Sequence, residues 1–152
     1  MLTQPLPQEE RISMGATHRI QILEGDLTQA AANTAQVIKL LDLPIGSLVR
    51  NVYVVTHQRF EASADPAFNA TGITIGDSGT ANLFVSATET NKNGAAVRFK
   101  TGTGTQKAYD VADVLNITFS SMAAKALANL DKGELWVFVE LLDASTYDGG
   151  NI

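Results

Sequence analysis

Gly76-Asp77-Ser78-Gly79 puts a hydroxyl and a carboxylate in one short string. A serine there becomes a nucleophile only with a histidine as base and a buried carboxylate to orient that histidine. His57, in the context Val54-Val55-Thr56-His57-Gln58, offers the residue type and nothing else. The chain is too short for the paired β-barrels on which one version of this site is built. Asp-Ser between two glycines is also ordinary turn chemistry. A turn is therefore the reading for this string.

Other strings fare similarly. Thr101-Gly102-Thr103-Gly104-Thr105 is glycine-rich, but a phosphate cradle needs GxxxxGK[ST] between a strand and a helix, and Lys107 follows in the wrong register. His18 and His57 are the two histidines, and neither has a ligand type at the spacing of a metal site. Asp110 and Asp113 lie three apart and read as a local turn pair. Acid pairs of the kind that cleave glycosides meet only in three dimensions, so spacing does not decide the point. Lys92, Arg98, Lys100 and Lys107 form a loosely basic stretch with only Phe99 and Tyr109 interleaved, which reads as a solvated hairpin. No catalytic residue, cofactor or metal ligand emerges from the sequence.

Composition narrows the class. The chain has 152 residues, 18% charged residues and no cysteine, which excludes disulfides, cysteine nucleophiles and cysteine-held metals. A formal net charge of −5 makes it a poor candidate for nucleic acid, where Lys and Arg contacts to phosphate dominate. No apolar run is long enough for a membrane-spanning helix. The opening Met-Leu-Thr-Gln-Pro lacks the basic and apolar regions of a secretory signal, so the sequons at Asn69 and Asn116 have no secretory context.

The elements that would position these residues are strands. Alternating, β-branched runs recur at His18–Leu23, Gln36–Leu41, Leu48–Phe60, Ile73–Ile75, Asn82–Ser86, Val97–Lys100, Val114–Phe119 and Glu134–Leu142, with Gly, Pro, Asn and Asp between them. In Leu48–Phe60, strict alternation puts Val49, Asn51, Tyr53 and Val55 on one face and Leu48, Arg50, Val52 and Val54 on the other. Both faces are apolar near Val52–Val55, as in a strand covered on both sides. Leu27–Ala35 is compatible with a helical turn or an irregular crossing. Ser120–Leu130 is the best helix candidate, with Ser as cap and Gly133 beyond its end. Trp136 is expected in the core, with a subunit interface as the alternative.

About eight short strands with such punctuation predict an all-β fold, an antiparallel β-sandwich of jelly-roll type, with one short helix possible near 121–130. The expected organisation is an N-terminal arm over 1–16, flexible or docked on a partner, a sandwich domain over 17–142, and a polar tail over 143–152. The arm's apolar residues, Leu2, Pro5, Leu6, Pro7, Ile12 and Met14, are the candidate partner contacts.

The order of segments resembles small virion proteins of tailed bacteriophages across about residues 17–142. An apolar strand meets Leu43-Pro44-Ile45-Gly46, a long strand rises to Thr56 and Phe60, and Ile73-Thr74-Ile75 runs into Gly76-Asp77. Ala81–Val85 and Tyr109–Phe119 follow, and Gly133–Glu140 closes. This resemblance implies a structural protein of the jelly-roll type and no enzyme. It further implies a head decoration (cement) protein bound to the capsid exterior, bridging capsid subunits. Its partners would be the major capsid protein and itself, as a homotrimer, with neither nucleic acid nor membrane. It would be made in the host cytoplasm and reside on the virion's capsid surface. A neck, tail or head-fibre base component is the alternative, followed by a carbohydrate-binding jelly roll. The latter would want more exposed aromatics than one Trp and three Tyr readily supply.

Overall fold

The computed structural model describes residues 1–5, 15–91 and 98–144. Ten strands follow in chain order among them: β1 (Leu2–Pro5), β2 (His18–Leu23), β3 (Gln36–Leu43), β4 (Ser47–Glu61), β5 (Thr71–Gly76), β6 (Val85–Glu89), β7 (Phe99–Thr101), β8 (Lys107–Ala108), β9 (Asp113–Ser121) and β10 (Lys132–Asp143). They form two antiparallel sheets. One runs β1-β2-β10-β4-β7, with β8 also paired to β4, and the other runs β3-β9-β5-β6.

The pairings are nested. β5 pairs with β6, β4 with β7 and β8, β3 with β9, and β2 with β10. The chain is one long hairpin wrapped on itself, its tip the turn between Gly76 and Val85. This is the jelly-roll order, all-β as the sequence predicts.

Period-two alternation sets which side of each strand meets the other sheet. Leu135, Val137, Val139 and Leu141 of β10, Ile20 and Ile22 of β2, Leu115, Ile117 and Phe119 of β9, and Ile73 and Ile75 of β5 are all buried in one core. Burying each such side chain contributes about 1.5–3 kcal/mol. Phe60 and Phe119 meet edge-to-face at its centre, with ring centroids 5.3 Å apart.

The ladders carry several register shifts, and two irregularities bear most on the core. Asn51 pairs with Glu140 and Val49 with Leu141, so Arg50 is an extra residue on β4. This bulge turns Val49 into the core with Val52 and Val54, not onto the face of Tyr53 and Val55 as strict alternation has it. Thr17 supports the opposite side of β10 there. Its hydroxyl donates to the Val139 carbonyl (3.1 Å) and accepts the Leu141 N–H (2.9 Å). The second irregularity is at Gly133, with φ +154°, where a Cβ would lie within 2.6 Å of three atoms of the Phe60 ring.

The N-terminus departs from the sequence reading. Leu2–Pro5 is not a free arm but an edge strand, in register from Leu2 opposite Gln21 to Pro5 opposite His18. The Met1 ammonium pairs with Asp26 at 2.6 Å, and Arg19 donates to the Gln4 side chain at 3.2 Å. Pro5 is tolerated because an edge strand has one side with no ladder to complete. Leu6, Pro7, Ile12 and Met14 lie outside the described residues, as does 145–152 of the expected tail.

In 121–130 there is no helix beyond a single 3₁₀ turn at Leu127–Asn129. β9 continues through Ser121, Ala124 has φ 62°, and the chain bonds sideways to the 27–35 crossing. The Ala128 N–H goes to the Gln29 carbonyl (3.0 Å) and the Asn33 N–H to the Lys125 carbonyl (2.8 Å). Leu127 and Leu130 still reach the core. Isolated i→i−3 turns and these two cross-chain bonds stand where alanine propensity favours a continuous helix.

Candidate interaction surface

The string Gly76–Gly79 forms the start of the tip turn. Asp77 is buried, and both its oxygens are engaged. Oδ1 accepts the N–H groups of Gly79 (3.1 Å) and Thr80 (2.8 Å), while Oδ2 accepts Lys107 Nζ (2.5 Å) and the Tyr109 hydroxyl (3.1 Å). Burial works to raise the Asp77 pKa. The Lys107 ammonium, the Thr80 N–H and the Tyr109 hydroxyl outweigh it and hold the carboxyl below its usual range. The same surroundings push the Tyr109 phenol well up, with desolvation the largest cause. This carboxylate ties the tip turn of one sheet to β8 of the other. His57 is on β4, beside Thr56, Arg59 and Arg98, so the serine, aspartate and histidine do not assemble.

The remaining strings resolve as structure too. Asp113 accepts the N–H groups of Val114 (2.7 Å) and Ser78 (3.3 Å), and hydrogen bonding from Ser78 leads the causes that lower its pKa. Asp110 is exposed on the loop before β9. Thr101–Thr105 joins β7 to β8, with Thr103 donating from its hydroxyl to the Leu83 carbonyl and from its N–H to the Phe84 carbonyl (2.8 Å each). The basic stretch divides. Lys107 is bound to Asp77, Arg98 sits with Arg59 and His57, and Lys92 lies outside the described residues. Among the described residues no three His, Asp or Glu side chains gather to hold a metal ion, and no helix is long and apolar enough to cross a membrane.

What the fold does present is the outer face of the sheet containing β10. Residues of alternate parity line up there across the strands. Phe99, Val55, Trp136, Gln21 and Leu2 form one row. Thr101, Tyr53, Phe138, Arg19 and Gln4 form the next. Tyr53 and Phe99 stack with centroids 6.1 Å apart, and Phe99 remains 55% exposed. Ala16 joins Tyr53, Val55, Phe99 and Phe138 around an apolar depression.

Trp136 belongs to this face and not to the core, correcting the sequence expectation. It is half-buried, its Nε1 donates to Glu134 Oε1 (2.8 Å), and the Arg19 guanidinium lies 4.8 Å from its ring centre. Gln21 also donates to Glu134 Oε1, at 2.8 Å. Farther along, Arg50 pairs with Glu140 at 3.1 Å. The patch of Tyr53, Val55, Phe99 and Phe138 went unrecognised in the sequence. The sequence signals it only through the apolar character of both faces of β4 and through Trp136 and Phe138, off the Leu135/Val137 register of β10. Of the sequence-derived contact residues, Leu2 is on this outer face, 46% exposed, and Pro5 is exposed in β1.

No protein-family model matches the sequence, and no curated protein matches it either. Similarity appears among solved structures. A chain of the cyanophage Pam1 capsid asymmetric unit aligns with a TM-score of 0.52 and 18% identity, covering 80% of this chain and 77% of that one. A chain of the acidic stable capsid structure of Helicobacter pylori bacteriophage KHP30 aligns with a TM-score of 0.46 and 17% identity, covering 93% of this chain and 99% of that one. The first of these shows a shared fold.

Proposed function

We propose that this chain is a non-enzymatic structural component of a phage virion, a head decoration (cement) protein. On this reading it binds the major capsid protein from outside, associates with itself as a homotrimer, and stabilises the shell by bridging subunits. The observation that carries the reading is the nested two-sheet fold shared over 80% of the chain with a chain of the Pam1 capsid asymmetric unit. The chemistry of the strings agrees with it, because Asp77, Ser78 and Asp113 all serve turns.

Bridging suits the physics of a repeating shell. Many copies engaged at once make weak single contacts sufficient. In this proposal Leu6, Pro7, Ile12 and Met14 contact a neighbouring protein, while Leu2 and Pro5 anchor the segment by their place in the sheet. Ordering it costs about 1–2 kcal/mol per residue of backbone entropy, so its apolar side chains must be buried on the partner.

The test is co-sedimentation of purified protein with empty shells from the phage that encodes it, prepared without the protein. Saturable binding and a raised shell melting temperature are expected. Replacement of Leu6, Ile12 and Met14 by Ser should weaken binding. Absence of co-sedimentation refutes the decoration role. Labelled protein found only at the vertex or tail of virions would move it to the neck, tail or head-fibre base.

A further inference from the structure

We infer that the concavity lined by Thr56, His57, Arg59 and Arg98 is a binding site for a phosphate-class oxyanion. The site is independent of the decoration role.

The pairing register brings these side chains together. Leu135 of β10 is opposite Thr56 and Glu134 is opposite Gln58, so His57 is an extra residue on β4. From Gln58 to Glu61 β4 takes three steps while β10 takes two, from Glu134 to Lys132. These extra residues release the stretch from strict alternation and re-aim its side chains, as bulges beside functional sites do. On the other edge of β4, Val55 is opposite Phe99, and the Thr56 N–H donates to the Arg98 carbonyl (2.8 Å). Arg98 is thereby held beside Thr56, where the β7 pairing ends.

His57, Arg59 and Arg98 are exposed, and none of these side chains has a hydrogen-bond or ionic partner among the described residues. Two unpaired guanidinium groups thus line one concavity in a chain of net charge −5. Thr56 points to the same ligand independently. It lines this concavity, is 5% exposed, and its Oγ1 is buried without a hydrogen-bond partner. Buried hydroxyls are ordinarily satisfied, so an orphan marks a missing partner. Ser47 Oγ is orphaned too, but its concavity has no cationic side chain among the described residues. A hydroxyl, an imidazole and two guanidinium forks suit a ligand rich in acceptors and negative charge. A tetrahedral dianion uses more of these donors than a singly charged carboxylate does. The concavity measures about 260 Å³, room for such an anion and some water, and is smaller than the roughly 300–1,000 Å³ of sites for larger ligands.

The test is titration of the ¹⁵N-labelled full chain with inorganic phosphate at constant ionic strength, read by amide chemical shifts. Saturable shifts are expected at Thr56, His57, Arg59 and Arg98. Glycerol phosphate in a second arm separates a free ion from a phosphoryl group on a larger molecule, and saturation by either sustains the site. Arg59→Gln and Arg98→Gln should each raise the dissociation constant about tenfold. Thr56→Val should raise it severalfold without lowering the urea midpoint of the anion-free chain, because an orphan hydroxyl leaves. Non-saturating shifts in both arms overturn the inference. So does acetate binding as tightly as phosphate, or unchanged affinity in any of the three variants.

Discussion

Replacing Asp77 with Asn probes whether the tip turn is tied to the opposite sheet by a buried charge. The amide keeps the shape of the side chain, and its oxygen can still accept the Gly79 and Thr80 N–H groups, which lie at 3.1 and 2.8 Å. What is lost is the acceptor for Lys107 and Tyr109. Lys107 is 43% exposed along its side chain and can turn to water, so its share is discounted to about 1 kcal/mol or less. Tyr109 is 4% exposed, and its hydroxyl has no such escape; stranding it costs about 1–3 kcal/mol. The sum is about 2 kcal/mol, or a melting temperature lowered by about 4–8 °C in a chain of this length. Urea unfolding at neutral pH, followed by fluorescence of the single tryptophan, reads this directly. Tyr109→Phe added to Asp77→Asn should cost less than the sum of the single changes, by about 1 kcal/mol, because the stranded hydroxyl is gone. The carboxyl's pKa is depressed in the folded chain. Its contribution is therefore complete above the unfolded value of about 3.9 and is lost as pH falls through the lower folded value. The stability gap between wild type and Asp77→Asn should close over that acid range. A variant within about 0.5 kcal/mol of wild type at neutral pH would refute the argument.

Gly133→Ala should destabilise by about 1–3 kcal/mol in urea unfolding, because the new methyl would meet a Phe60 ring that is fully buried and cannot retreat. Phe119→Ala should cost about 3–5 kcal/mol by the same measurement, since it removes the edge-to-face partner of Phe60 at the core's centre. Removing Met1–Pro5 should leave the sandwich folded. Amide hydrogen exchange should accelerate at the β2 N–H groups that face β1, and an unchanged pattern would mean that β1 does not pair in solution. Ser78→Ala should leave stability within about 0.5 kcal/mol of wild type, as Ser78 is exposed.

Much of the sandwich is legible in the sequence because a strand declares itself by local chemistry. Glu134–Leu142 alternates without interruption, and Val114–Phe119 and His18–Leu23 do so over shorter runs. The structure places strands at all three. Bulges are less legible, since one extra residue such as Arg50 reverses the face of everything before it and leaves no mark in composition. Alanine content in 122–130 speaks for helix, yet the Ala128 N–H finds the Gln29 carbonyl and the Lys125 carbonyl accepts the Asn33 N–H, both across to a crossing distant in sequence.

The candidate surface shows the same division. The sequence by itself determined that β10 would bury one parity of its side chains, that Gly76–Gly79 would turn, and that no cysteine chemistry was available. It could not choose between the two sides of β10, because Trp136 and Phe138 are as apolar as Leu135 and Val137. Only the tertiary structure decided it. The second sheet covers one side of β10, so one parity set becomes core and the other an aromatic outer face. Leu2–Pro5 followed the same logic, its place set by the open edge of β2 and not by its own residues. Periodicity is a property of one segment, whereas burial depends on what the rest of the chain brings against it.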